Sequence, residues 1–245
     1  MIKAKLYDFI IILLAFVVVA TFPYTQIIKD YPFWSTFAVI CTYFLLICLI
    51  FLFLKFKSNI QIEHPECTPL NGIMFLPVLF VCGSNFFYLI FFPDIIDPIF
   101  DGEFVLKIIL HLLIAITEEV IFRGLLQSNL QIKNKLLKIV VTAFIFALFH
   151  FLPFFTSFDP STLIMPVYAF GLGIILGMIF EYTGCLYLSI AFHFLFNFFN
   201  KVLFVAITGS NDVQYGPFIL INVIVSLFAV VYLVSLYSFY LYRKN

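Results

Sequence analysis

Apolar residues run through this chain in long blocks separated by short polar, glycine or proline breaks. A helix needs about 20 apolar residues to cross the hydrocarbon core at a rise of about 1.5 Å per residue. Blocks of that kind fall at approximately 6–23, 33–54, 73–93, 104–129, 136–152, 161–181, 185–208 and 217–241. Between them lie Pro23 and Pro32, the polar stretch 55–71, the acidic loop 93–103, the lysine cluster 133–138, Asp159-Pro160, Gly184 and the segment 209–217. The pattern predicts an all-α fold, a polytopic membrane helix bundle of about eight transmembrane helices forming one domain over 1–245. Lys3 and Lys5 before the first block imitate a signal peptide, but the block is long, lacks an A-x-A site and precedes further spans, so it reads as the first membrane helix.

Composition agrees with this pattern. Of 245 residues, 64% are hydrophobic and 11% charged, with a mean hydropathy of +1.16, well outside the range of soluble domains. Lys+Arg and Asp+Glu balance at 13 each, which argues against a nucleic-acid partner and makes charge placement the informative quantity. With eight spans, Lys3, Lys5, Lys55, Lys57, Lys133, Lys135, Lys138, Arg243 and Lys244 fall on one side, and Asp94, Asp97, Asp101, Asp159 and Asp212 on the other. Positive loops stay on the cytoplasmic side, so both termini are expected there. The five cysteines form no C-x-x-C pair, an argument against a disulfide framework or a cysteine zinc site.

Ionisable residues inside apolar spans cost at least ~2.5–3.5 kcal/mol each at the bilayer centre and are functional candidates by default. Thr117-Glu118-Glu119-Val120-Ile121-Phe122-Arg123 places Glu119 and Arg123 at i,i+4, where each neutralises the other. Glu118 is left without that partner, as a general base or acid would be. Phe146 and His150 lie one turn apart in the fifth block; His193 and Asn197 do so in the seventh, with Asn200 further along the same stripe. Taken singly, each group also reads as structural: an ion cluster, a packing histidine, or interhelical glue worth about 1 kcal/mol. Counted along the helices, Glu118, His150 and His193 lie ~13–18 Å from the cytoplasmic ends of their spans, compatible with one layer.

Together the three pieces resemble the CPBP family of intramembrane proteases, which includes the CAAX prenyl endopeptidases and bacterial proteins of bacteriocin processing and self-immunity. The family pattern is E-E-x-x-x-R, then F-x-x-x-H, then H-x-x-x-N. Glu118, Glu119 and Arg123 match the first, Phe146 and His150 the second, and His193 and Asn197 the third, with no departure at a motif position. The resemblance covers approximately residues 102–208, the expected catalytic core. It implies hydrolysis of a peptide bond in a membrane-associated peptide or protein substrate, within the lipid bilayer. Glu118 then activates water with help from His150, His193 and Asn197 donate to the oxyanion, and Glu119 and Arg123 position the site. A competing version makes Glu118, His150 and His193 ligands of a Zn²⁺ carrying the nucleophilic water. The family is commonly described as metalloproteases, though a metal-free, glutamate-dependent reading exists too.

A proton- or ion-coupled transporter is the first rival, since acid and histidine clusters also serve translocation, although no repeated halves are visible. A non-catalytic immunity or scaffold protein is the second. His111, seven residues before Glu118, and Asn85 read as structural, Gly173 and Gly177 as a close-packing GxxxG face, and Glu181 and Asp212 as solvated groups near helix ends. The short chain and compact loops suggest a bacterial plasma membrane.

Overall fold

The computed structural model describes residues 6–22, 31–57, 81–91, 93–96, 98–152 and 165–208, together with Ile224, Leu227, Val230, Val231, Val234 and Ser235. All regular structure among the described residues is helical. The helices are α1 (Leu6–Thr21), α2 (Pro32–Lys57), α3 (Ser84–Phe91), α4 (Gly102–Glu119), α5 (Lys135–Phe149), α6 (Met165–Thr183), α7 (Leu186–Asn197) and α8 (Phe204–Thr208). α4 runs straight into a π-helical segment, Val120–Gln127, and α7 reaches α8 through another, Phe198–Leu203. These helices fall within the first seven apolar blocks or differ from them by a few residues. The eighth block, 217–241, lies outside the described residues apart from isolated positions, as do both termini, so the expected span count and terminal placement rest on sequence alone.

The ends follow local chemistry. Asp101 caps α4, its carboxylate accepting from the backbone N–H of Glu103 at 2.9 Å and of Phe104 at 3.1 Å. Asn134 caps α5 by accepting from Leu137 N–H at 3.1 Å. Pro32 supplies the first residue of α2. Gly184, with φ of 65°, turns the chain between α6 and α7, a conformation that disfavours any residue with a Cβ. The next residue, Cys185, is disulfide-bonded, which corrects the expectation drawn from cysteine spacing: spacing along the chain carries no information about which cysteines meet in space.

Two helices, Pro32–Phe56 and Leu186–Thr208, are long and apolar enough to cross a membrane, and Phe9–Thr21 and Met165–Glu181 are shorter apolar helices. The run from Gly102 to Gln127 is equally long but carries Glu103, Lys107, Glu118, Glu119 and Arg123. Beside an apolar core, large apolar side chains cover the outside and polar ones are enclosed. Leu14, Val18, Trp34, Phe44, Leu45 and Leu49 are exposed on α1 and α2, while Glu119, Arg123, Gln127, Ser189, His193 and Asn197 are buried.

The interior holds two apolar clusters. One joins Ile139 and Ala143 of α5, Leu172, Ile175 and Leu176 of α6, and Phe192 and Phe196 of α7. The other joins Phe16 of α1, Leu46 and Ile50 of α2, Ile121, Phe122 and Leu125 of the first π segment, and Phe146. α5 and α6 meet closely at the expected GxxxG face: a Cβ built on Gly173 would stand 3.0 Å from Ala143 Cβ, and one on Gly177 3.1 Å from Ile139 Cγ2.

Candidate active site

α4 delivers the two carboxylates to different environments because consecutive helical residues point about 100° apart. Glu119 is fully enclosed and occupied on both oxygens. Its Oε1 accepts from Arg123 Nη1 at 2.9 Å and from His193 Nδ1 at 2.8 Å, and its Oε2 accepts from the Ser189 hydroxyl. The Glu118 side chain keeps 11% of its surface open, and its Oε2 lies 3.6 Å from His193 Nε2. The expected i,i+4 pairing of Glu119 with Arg123 is therefore present, and Glu118 is the carboxylate left available.

Arg123 is also fully enclosed. Its Nη2 donates to the Gly173 carbonyl at 3.0 Å, and its guanidinium carbon sits 4.7 Å from the centre of the Phe146 ring. That carbonyl is reachable because Gly173 lets α6 approach so closely. Phe146 also stacks with His150 at 4.7 Å and meets His193 edge-on at 6.0 Å, so the aromatic residue of the second motif forms a wall shared by the other two.

Each histidine has one ring nitrogen committed. His150 closes α5 half-buried, its Nδ1 donating to the Phe146 carbonyl at 3.0 Å, which leaves Nε2 without a proton in the neutral ring. No hydrogen bond joins it to Glu118 among the described residues. His193 commits Nδ1 to Glu119 and turns Nε2 toward Glu118. Asn197 is buried one turn beyond His193 on α7, immediately before the second π segment. Asn200, one turn further, is a tether: its amide donates to the carbonyls of Cys82 at 3.0 Å and Phe196 at 2.9 Å.

Histidines with Nδ1 held by a protein acceptor and Nε2 presented suit zinc. However, among the described residues no group of three His, Cys, Asp or Glu side chains stands close enough to share one metal ion. As arranged, Glu118, His150 and His193 do not fit a three-ligand site.

Two polar residues escaped the sequence reading. Ser189 lies one turn before His193, and Gln127 one turn beyond Arg123, so extending each motif by one turn would have found both. Gln127 Nε2 donates to the Gly177 carbonyl at 2.9 Å and lies 3.5 Å from Glu181. Glu181 itself is a correction. It is largely enclosed, pairing with Lys138 at 2.8 Å and Lys135 at 3.5 Å, because the α5–α6 packing brings the lysine cluster over the end of α6. Asp212 lies outside the described residues. His111 has its Nδ1 buried without a hydrogen-bond partner among the described residues.

Comparison with curated proteins and with solved structures returned no match. A family model described as "Rce1-like: Type II CAAX prenyl endopeptidase Rce1-like" matches residues 101–199. Members of that family are integral membrane proteins. Residues 101–199, the stretch holding all three motifs, are thus similar to the Rce1-like type II CAAX prenyl endopeptidases, in agreement with the resemblance to the CPBP family.

Proposed function

We propose that this chain is an intramembrane endopeptidase that hydrolyses a peptide bond in a membrane-associated substrate at the layer of Glu118, His150 and His193. The observation that carries the reading is the asymmetry of the adjacent carboxylates: Glu119 is sealed and saturated with donors, while Glu118, though buried, keeps 11% of its side chain exposed and faces His193 Nε2. An acid and its neighbour held in such different surroundings can take different roles.

In this reading Glu118 takes a proton from a water, the water oxygen attacks the peptide carbonyl, and the proton passes to the leaving amine as the C–N bond breaks. His150 offers Nε2 to the same water. His193, protonated at Nε2, and the Asn197 amide donate to the oxyanion, where one donor is commonly worth about 10²–10³ in rate. Glu119 and Arg123 hold His193. Because the three candidate ligands do not fit a zinc site as arranged, each step uses side chains of the chain alone.

The test is cleavage of a fluorescent membrane-anchored peptide by purified protein in liposomes. Glu118→Ala, His150→Ala and His193→Ala are each expected to abolish cleavage while the protein accumulates normally. Full cleavage by these variants would overturn the assignment, and ion flux across sealed liposomes lost in the same variants would favour translocation. A panel of prenylated CAAX peptides, unprenylated CAAX peptides and peptides without that ending identifies the substrate class. The setting we assign is a bacterial plasma membrane.

A further inference from the structure

Glu119 poses a geometric difficulty for any account in which it orients His193. Arg123 and His193 both donate to the same oxygen, Oε1. The terminal torsion of a glutamate is broad and roughly two-fold, so two donors on one oxygen leave the carboxylate plane free to rotate. Rotation would carry Oε1 away from the imidazole and offer Oε2 in its place.

The Ser189 hydroxyl removes that freedom. It is fully buried and donates to Oε2. Ser189 and His193 are one turn apart on α7, so a single rigid helix grips both oxygens of the carboxylate, while Arg123 binds it from α4's own continuation. Among the described residues, the other acceptor near this hydroxyl is the Leu176 carbonyl of α6, 3.4 Å away. A hydroxyl has one proton to donate, and the Glu119 contact is the closer. Without it, Oε2 would be an enclosed carboxylate oxygen with no donor among the described residues, a costly state that the side chain escapes by turning.

We infer that Ser189 is a positioning residue: by fixing the plane of the Glu119 carboxylate it holds His193 with Nε2 facing Glu118. Its kinetic consequence rests on the proposed peptidase reading; its structural consequence does not.

The experiment therefore has two readouts on purified full-length protein. The first is cleavage kinetics. Ser189→Ala is expected to lower kcat by ~10-fold or more, the scale of one hydrogen bond to a charged group, with KM unchanged. Ser189→Thr restores most of the rate, because the hydroxyl returns, and Ser189→Cys, nearly isosteric with a weak donor, falls between. In a Glu119→Gln background, Ser189→Ala adds little further loss. The second readout is NMR of ¹⁵N-histidine-labelled protein, in which the His193 Nδ1–H resonance shifts and broadens in Ser189→Ala and recovers in Ser189→Thr.

Wild-type kcat together with an unchanged His193 resonance in Ser189→Ala overturns the inference and leaves the peptidase reading intact. A shifted resonance in a protein that cleaves no peptide supports the positioning role while defeating the peptidase reading. If Ser189→Ala does not fold, Ser189→Cys decides by the same two criteria.

Discussion

Arg123 keeps its charge inside an apolar bundle because a carboxylate, a backbone carbonyl and an aromatic face surround it. Removing one member of such a pair leaves the other buried and uncompensated, which costs about 3–5 kcal/mol. Arg123→Met is accordingly expected to lower stability on that scale, measured by unfolding in mixed detergent. Arg123→Lys should fall between, since a single ammonium cannot reproduce the fork that spans Glu119 and Gly173. Glu118→Gln should behave oppositely to both: cleavage is lost while the unfolding midpoint stays close to the wild-type value, because Glu118 keeps part of its side chain exposed and its nearest donor, His193 Nε2, stands 3.6 Å away, beyond a hydrogen bond. A large loss of stability in Glu118→Gln would make that carboxylate structural. These residues were legible in the sequence because charge is rare in apolar spans. Ser189 was not, because a serine in a membrane helix is unremarkable until the carboxylate it touches is known.

At the level of elements, the α5–α6 contact sets the site. Gly173 and Gly177 let α6 approach until its carbonyls receive Arg123 and Gln127, so the GxxxG face serves packing and hydrogen bonding together. At Gly173 the nearest atoms to an added Cβ include the Ala143 backbone at 3.1 Å, which cannot swing aside. Gly173→Ala should therefore cost about 1–3 kcal/mol by overpacking, read as a lowered thermal midpoint in detergent. Gly102→Ala, where a Cβ meets nothing within 4 Å, should show no such loss. The spacing of the glycines was visible in the sequence; the partners of their carbonyls were not. The two π segments were likewise invisible to an apolar pattern, which α- and π-helical turns satisfy alike. They follow directly on Glu119 and Asn197, in keeping with the frequent occurrence of π turns at functional sites.

For the whole molecule, the exposed apolar side chains of α1 and α2 and the enclosed polar stripe fit a lipid environment around the stretch that the family model matches. We expect the chain to remain in the membrane fraction after alkaline carbonate extraction, and reporters fused to either terminus to respond as cytoplasmic. A metal-free reaction predicts that cleavage persists in protein verified by elemental analysis to hold no zinc; activity that vanishes on chelation and returns with Zn²⁺ would reinstate the metal version. The sequence by itself determined the helical class, the approximate limits of most described helices and the three motif groups, because burying an ionisable residue in an apolar span is costly enough to stand out without coordinates. Only the tertiary structure decided which carboxylate is saturated with donors and which is left partly exposed, that His193 lies against both, that Glu181 pairs with lysines, and that Ser189 completes the coordination of Glu119. Those outcomes depend on helix rotation and on contacts between residues far apart in sequence, such as His193 and Glu119, 74 positions apart. A one-dimensional pattern fixes neither, because rotating a helix by one residue step exchanges Glu118 and Glu119 while leaving the apolar block unchanged. The buried carboxylates were therefore written in the sequence, and the division of labour between them was written in the packing of α4 against α7.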